Sequence, residues 1–597
     1  VLIDRRRLLR SAALAVGGIA TDAWLPAWAR SGTPGTTPGA LSGEQIALTI
    51  ARQTMTIDDR ASHAIGVNGT VPAPLLRLRE GQRLRLTVDN RLDEDSSLHW
   101  HGLLVPAAMD GVPGVSFPGI PARSRFTYEF PVIQSGTYWY HSHSGLQEQE
   151  GLYGPIIIDP AGPDRIAYDR DHVIVLSDHS EMHPHQAYRR LKQQGGYFNY
   201  QKQTVAGLLR GRDQPLAERL HWGAMRMDPA DIADITGSAY RYLVNGHGPA
   251  DNWTALFQPG ERVRLRFINA GTMTFFNVRI PGLRMTVVQA DGQDVQPVEV
   301  DEFQIGSAET YDVIVTPADD RAYTIVAESM DRSGMARATL APRPGMAAAI
   351  PPLRPRPLAT MTDMGMDMAG GAMAGMGHGS GAGAMDHGAM DHSTMGHAMP
   401  APADPAAPPA AMDMAMRNPK NAPGVTMGPG VQTIAPMPID RTDSPGQGLA
   451  GLDHRVLTYR DLVAIDRNPD VRAPGRSLDI HLTGNMERYM WSFDGVKMSD
   501  ARAPIPFVAG ERVRVRLIND TMMGHPIHLH GHFFELVTGH ADHAPRKHTV
   551  VVQPGGTATF DLTADAIGDW AFHCHLLLHM HAGMMRIVSV RPGGADA

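Results

Sequence analysis

One cysteine, Cys574, stands in a chain of 597 residues, so an intramolecular disulfide is impossible. A net basic excess is missing too, and aromatic residues are few. A net charge of -8 supplies no basic stripe and 6% aromatic residues supply no stacking platform, which sets nucleic-acid binding aside. Long apolar runs are also missing. The stretch from Ser11 to Ala20 falls well short of the roughly 20 residues a spanning helix needs. Set between Arg5-Arg6-Arg7 and Ala27-Trp28-Ala29, it reads as a twin-arginine signal peptide over residues 1–30. That reading predicts a periplasmic protein that folds before export and has no stable membrane insertion of its mature chain. A lone thiol in an oxidising compartment then needs another use, and metal ligation is one.

What the chain does have is repetition. Gly81-Gln-Arg-Leu-Arg-Leu-Thr-Val-Asp-Asn90 recurs as Gly260-Glu-Arg-Val-Arg-Leu-Arg-Phe-Ile-Asn269 and as Gly510-Glu-Arg-Val-Arg-Val-Arg-Leu-Ile-Asn519. Polar and apolar residues alternate between the Gly and the Asn, the period of a half-buried strand. Upstream of the three copies lie the turn pairs Asn68-Gly69, Asn245-Gly246 and Asp494-Gly495. Many short strands with Gly and Pro turns predict an all-β chain of β-sandwiches. We place domains at residues 43–160, 165–342 and 450–594, with a partly helical insertion at about 180–235 in the second.

Four histidine motifs lie on this frame: His99-Trp100-His101, His141-Ser142-His143, His525-Pro526-Ile527-His528-Leu529-His530 and His573-Cys574-His575-Leu576-Leu577-Leu578-His579. Residues two apart on a strand face one side, so each His-x-His aims two imidazoles at one point. The same alternation turns Cys574 away from His573 and His575, so two metal sites would share one tripeptide. His525, Cys574 and His579 form the donor set of a blue-copper site, with Met584 as its weak axial ligand. Structural zinc normally brings several thiolates, and this chain has one. Gly136 to His143 aligns with Gly568 to His575, with Ser142 in the place of Cys574. The second copy has no histidine there, which makes it a spacer and puts the metal cluster between the first and third domains.

Residues 343–450 are rich in Pro, Ala, Gly and Met and lack the periodicity of a core, so they read as a disordered linker. Its methionines and histidines, among them Met385, His387, Met390, His392 and Met395, are soft donors suited to capturing Cu(I). Met522 and Met523, beside His525, are either an electron-uptake site or packing over the blue-copper site.

The four motifs resemble the copper signatures of the multicopper oxidases. Met109-Asp-Gly-Val-Pro-Gly114, Gln147-Glu-Gln-Glu-Gly-Leu-Tyr-Gly154, Asn519-Asp-Thr-Met-Met523 and the Met-rich linker look like the periplasmic copper-resistance protein A branch. The resemblance implies three cupredoxin-like Greek-key domains and four copper ions. Type 1 copper would take His525, Cys574, His579 and Met584, and type 2 copper His99 and His528. One type 3 copper would take His101, His141 and His575, the other His143, His530 and His573. Asp110 matches an acidic residue that assists proton delivery, while Met580 stands where some relatives carry a second carboxylate. Electrons would pass from Cys574 through His573 and His575 to O2. The donor reading is Cu(I); phenols, or simple copper sequestration by the linker, are the alternatives. A monomer is the simplest assembly.

Overall fold

The computed structural model describes residues 39–366 and 415–593. The signal segment and Met385, His387, Met390, His392 and Met395 lie outside them. The architecture is all-β, with three two-sheet sandwiches in chain order. In the first, strands Arg60–Val67, Gln45–Ile57, Arg83–Asn90 and Arg125–Pro131 form one sheet, and Leu76–Arg79, Tyr153–Asp159, Gly136–His141 and His99–His101 the other. The second sandwich pairs six strands with five, the third seven with five. Among the described residues no helix is long and apolar enough to cross a membrane.

The three repeats occupy one position in their sheets. Arg83–Asn90, Val263–Asn269 and Arg512–Asn519 each lie parallel to a preceding strand, Gln45–Ile57, Arg170–His179 or Arg476–Asn485. Each is antiparallel to a later one, Arg125–Pro131, Thr310–Val315 or Gly556–Thr563. The turn pairs adopt positive φ at both residues, 51° and 83° at Asn68-Gly69, which is why Asn or Asp followed by Gly recurs there. The closing asparagine does more than end a strand. Its buried amide donates across the sandwich, from Asn269 to the Ile305 carbonyl and from Asn519 to the Val552 carbonyl, both at 3.0 Å. That clamp satisfies a buried amide while tying the two sheets together.

The expected insertion contains helices Pro184–Gln193, Val205–Leu209 and Leu216–Ala224. The first docks through buried Ala187 and Leu191, and Lys192 Nζ donates to the Tyr489 carbonyl at 2.9 Å, in the third sandwich.

The flanks of the expected linker depart from the disordered reading. Arg354 pairs with Glu302 and Glu328, each at 2.6 Å, and Asp363 and Met364 are buried. Ala422, Val425, Val431 and Ile434 form a small buried cluster. Thr433 Oγ1 donates to the Asp520 carbonyl and the Ala435 amide to the Asp520 carboxylate. These residues are held by individual contacts and a small local cluster. Periodicity cannot report such contacts, because it registers only segments that present a repeating apolar face.

Candidate metal centre

Strands His99–His101 and Gly136–His141 are neighbours, with His99 opposite His141. Strands His525–Leu529 and Gly568–Cys574 repeat the arrangement, with His528 opposite His573 and Ile527 opposite Cys574. The two pairs face each other across the first and third sandwiches. Their donor atoms fall into compact groups, all within 4.8 Å in each: His99, His101 and His528; His101, His141 and His575; His143, His530 and His573; and His525, Cys574 and His579. All four combine motifs from different sequence regions, and three of them join the first and third sandwiches. Only the last contains sulfur.

Many of these imidazoles are held by one nitrogen, leaving the other for the centre of its group. His99 Nδ1 donates to the Asp110 carbonyl at 2.8 Å, His528 Nδ1 to the His548 carbonyl at 2.7 Å, and His573 Nδ1 to the Cys574 carbonyl at 3.0 Å. His530 Nδ1 meets Asp110 Oδ2 at 2.8 Å and His141 Nδ1 meets Glu148 Oε2 at 2.7 Å. His101 is reversed, with Nε2 on Thr549 Oγ1 at 3.2 Å. The remaining nitrogens, Nε2 of His99, His141, His143, His528 and His575 and Nδ1 of His101, are buried with no hydrogen-bond partner in the protein. Orphaned buried nitrogens are costly, so their convergence marks ligand positions, and acceptors behind the rings fix the tautomers.

Burial holds these imidazoles in the neutral, ligating form. It drives His101, His141, His143, His528, His530 and His575 well below the usual histidine range, and His573 to about 3. Burial equally pushes the Cys574 thiol up. A thiolate here therefore needs a cation beside it, and the two imidazoles facing it make that cation a metal ion. The donor set fits copper.

Around the sulfur, Cys574 Sγ lies 3.5 Å from His525 Nδ1 and 3.8 Å from His579 Nδ1. The far nitrogens are tied back, His525 Nε2 to Thr521 Oγ1 at 2.8 Å and His579 Nε2 to Asp234 Oδ2 at 2.7 Å. Trp491 stacks on His579 at 3.8 Å between ring centres. Met584 is fully buried, and its carbonyl accepts from the Cys574 amide at 3.1 Å, which sets the two residues side by side along the backbone.

Residue-type reasoning missed several of these partners. Glu148 sits in the Gln147-Glu-Gln-Glu segment, whose signal was visible but without a role. Asp234 comes from the insertion and had no signal at all. The second sandwich, read as a spacer, contributes no residue to the donor groups, yet supplies Asp234 on His579. A buried carboxylate also reaches the cluster despite Met580, since Glu148 approaches His141 from the first sandwich. Met522 and Met523 are only 1% and 3% exposed. The Asn519 amide grips the Met523 carbonyl at 2.7 Å, and the linker flank at Thr433–Ala435 covers the turn. Both side chains pack in the core.

Multicopper oxidase family models match residues 49–162, 170–350 and 472–594. The chain belongs to the multicopper oxidase family. It is 49% identical to copper resistance protein A of Escherichia coli, over 98% of this chain and 99% of that one. Identity to copper resistance protein A of Pseudomonas syringae pv. tomato is 47%, over 95% of each chain. Among solved structures, Fet3p, a multicopper oxidase that functions in iron import, shares the fold with a TM-score of 0.62 at 18% identity, covering 92% of this chain and 91% of that one. The laccase of Botrytis aclada does so with a TM-score of 0.58 at 21% identity, covering 93% and 88%. As a multicopper oxidase of the copper-resistance protein A type, the chain is an oxidoreductase with copper cofactors, drawing on reduced-metal or phenolic donors and O2.

Within this multicopper oxidase, Asp234 Oδ2 accepts from both His579 Nε2 and the Tyr489 hydroxyl, each at 2.7 Å. Asp234→Ala orphans two buried donors and is expected to cost about 2–4 kcal/mol. Denaturant melts of the copper-loaded protein check this, and a loss within error of zero would show that water replaces the carboxylate.

Proposed function

We propose that this oxidase takes electrons one at a time from Cu(I) and uses four of them to reduce O2 to two waters. The observation that carries the reading is Cys574, whose sulfur faces His525 and His579 while its chain neighbours His573 and His575 belong to two other donor groups. His525 Nδ1, Cys574 Sγ and His579 Nδ1, with Met584 axial, would hold type 1 copper. His99 and His528 would hold type 2 copper; His101, His141 and His575 one type 3 copper; and His143, His530 and His573 the other. When bound, the four coppers supply one-electron uptake at one end and four-electron delivery to O2 at the other.

The protein's own part is wiring, orientation and protons. Cys574 joins the two ends through single peptide links to His573 and His575, a short covalent path. Asp110 Oδ2, bonded to His530 Nδ1 and inaccessible to solvent, holds a carboxylate where protons are consumed. Glu148 keeps His141 in place. The chain would act in the periplasm after twin-arginine export, as a monomer, with Met385, His387, Met390, His392 and Met395 capturing Cu(I).

Steady-state oxygen uptake by copper-loaded protein tests this. Cu(I) is expected to drive uptake faster than a phenol does, at four Cu(I) per O2. Deleting residues 367–414, which spares the docked linker flanks, is expected to slow the Cu(I) reaction and leave phenol oxidation intact. Faster phenol turnover without added copper would instead make the enzyme a laccase-like oxidase. No uptake with either donor overturns the reading.

A further inference from the structure

Beside the thiolate group lies a second set of copper-type donors that none of the ligand assignments uses. His581 follows His579 by two positions in the helix Leu577–Ala582 and is exposed. Its ring centre lies 5.9 Å from that of His185 and 4.8 Å from that of Tyr188, both on the insertion helix Pro184–Gln193. His185 stacks in turn on His183 at 5.5 Å and 19°. All three histidines are exposed, and the half-buried Met182 and Met580 adjoin His183 and His581 in sequence.

The spacing allows both rings to reach one ion. Within the donor groups above, ring centres stand 4.9 Å apart for His101 and His575, 5.1 Å for His143 and His573, and 5.1 Å for His525 and His579. Two imidazoles bound in line to one ion, each at a metal–nitrogen distance of about 2 Å, separate their ring centres by about 6 Å. Among the described residues, neither ring nitrogen of His185 or of His581 has a hydrogen-bond partner in the protein. His183 is committed at one nitrogen, since Nδ1 accepts from the His185 amide at 3.3 Å, which leaves Nε2 outward.

The two elements that carry the pair are tied together. Lys192 Nζ donates to the Tyr489 carbonyl, the Tyr188 and Tyr489 rings lie 6.1 Å apart, and the Tyr489 hydroxyl donates to the Asp234 carboxylate that also holds His579. The site is therefore anchored to the same network as the thiolate group, yet opens to solvent, whereas Met522 and Met523 do not.

We propose that His185 and His581 form the docking site at which substrate Cu(I) delivers its electron. The proposal rests on the Cu(I) reading above and names the site that reading lacks. A cuprous ion suits few, soft or imidazole donors. Docked there, it would give up one electron toward the group that contains His579, two residues along the same helix, and leave as Cu(II). Four such events and four protons convert one O2 to two waters.

The test compares the full-length, copper-loaded protein with His185→Ala and with His185→Ala/His581→Ala. Reduced anaerobically and titrated with Cu(I) against a chromogenic chelator, the double variant is expected to bind one equivalent fewer than the parent protein. Its KM for Cu(I) is expected to rise about tenfold or more, with phenol oxidation and the blue absorption retained. His185→Ala, on a helix that carries no cofactor ligand, should shift KM the same way. Unchanged stoichiometry and KM, in a parent protein that does oxidise Cu(I), overturn the proposed site. A parallel loss of phenol oxidation also overturns it, because the defect would then lie in the thiolate group. A parent protein that takes up no oxygen with Cu(I) defeats the donor reading instead, and the titration still reports on the site.

Discussion

Cys574→Ser is expected to bleach the blue absorption and bring oxygen uptake with either Cu(I) or a phenol below roughly a thousandth of the parent rate. The serine fits, since the homologous position of the first sandwich is Ser142, itself buried. Packing is therefore preserved while the thiolate is lost. His573 and His575 keep their places on the strand Gly568–Cys574 and just after it, and the copper content of the cluster should be retained. The loss would then be one of electron supply. Steady-state oxygen electrode measurements with metal analysis check this, and uptake within tenfold of the parent protein would mean that electrons reach the cluster by a path that avoids Cys574.

Asp110→Asn is expected to lower kcat for oxygen reduction about a hundredfold or more, the usual scale of a lost general acid. Asp110 is placed by Gly111, where any side chain would collide with the Leu98 carbonyl and where φ is +81°. It bonds His99 of the first sandwich through its carbonyl and His530 of the third through its carboxylate. An asparagine oxygen can still accept from His530 Nδ1, so copper content should stay near the parent value. Anaerobic bleaching of the blue colour by a phenol should also proceed normally. What the amide cannot do is give up a proton and take it back. Parent-like kcat in this variant would remove Asp110 from proton delivery and leave it a purely orienting group.

The repeats and the histidine motifs were readable because both rest on short-range regularities. Alternation identified Arg83–Asn90 and its two counterparts as strands, and positive φ at the turn pairs explains why Asn-Gly and Asp-Gly accompany them. The two-residue period likewise separated Cys574 from the histidines on either side of it. No comparable regularity led to Asp234, which is 345 positions from His579, or to Thr549, which is 448 positions from the His101 it holds. A hydrogen bond between residues so far apart leaves no periodic trace in either segment. The linker flanks misled for the same reason: their composition is that of an unstructured chain, yet Thr433 and Ala435 cover the turn that buries Met522 and Met523.

The amino-acid sequence by itself determined the all-β repeat architecture, the family and the residue types able to ligate copper. These follow from alternation along single strands and from the scarcity of thiols. Only the tertiary structure decided which nitrogen of each imidazole is held back, which carboxylates stand behind the rings, and which donors still reach solvent. Those choices depend on how three sandwiches and one helical insertion pack against one another. Packing brings His185 and His581 together where both reach solvent and buries Met522 and Met523.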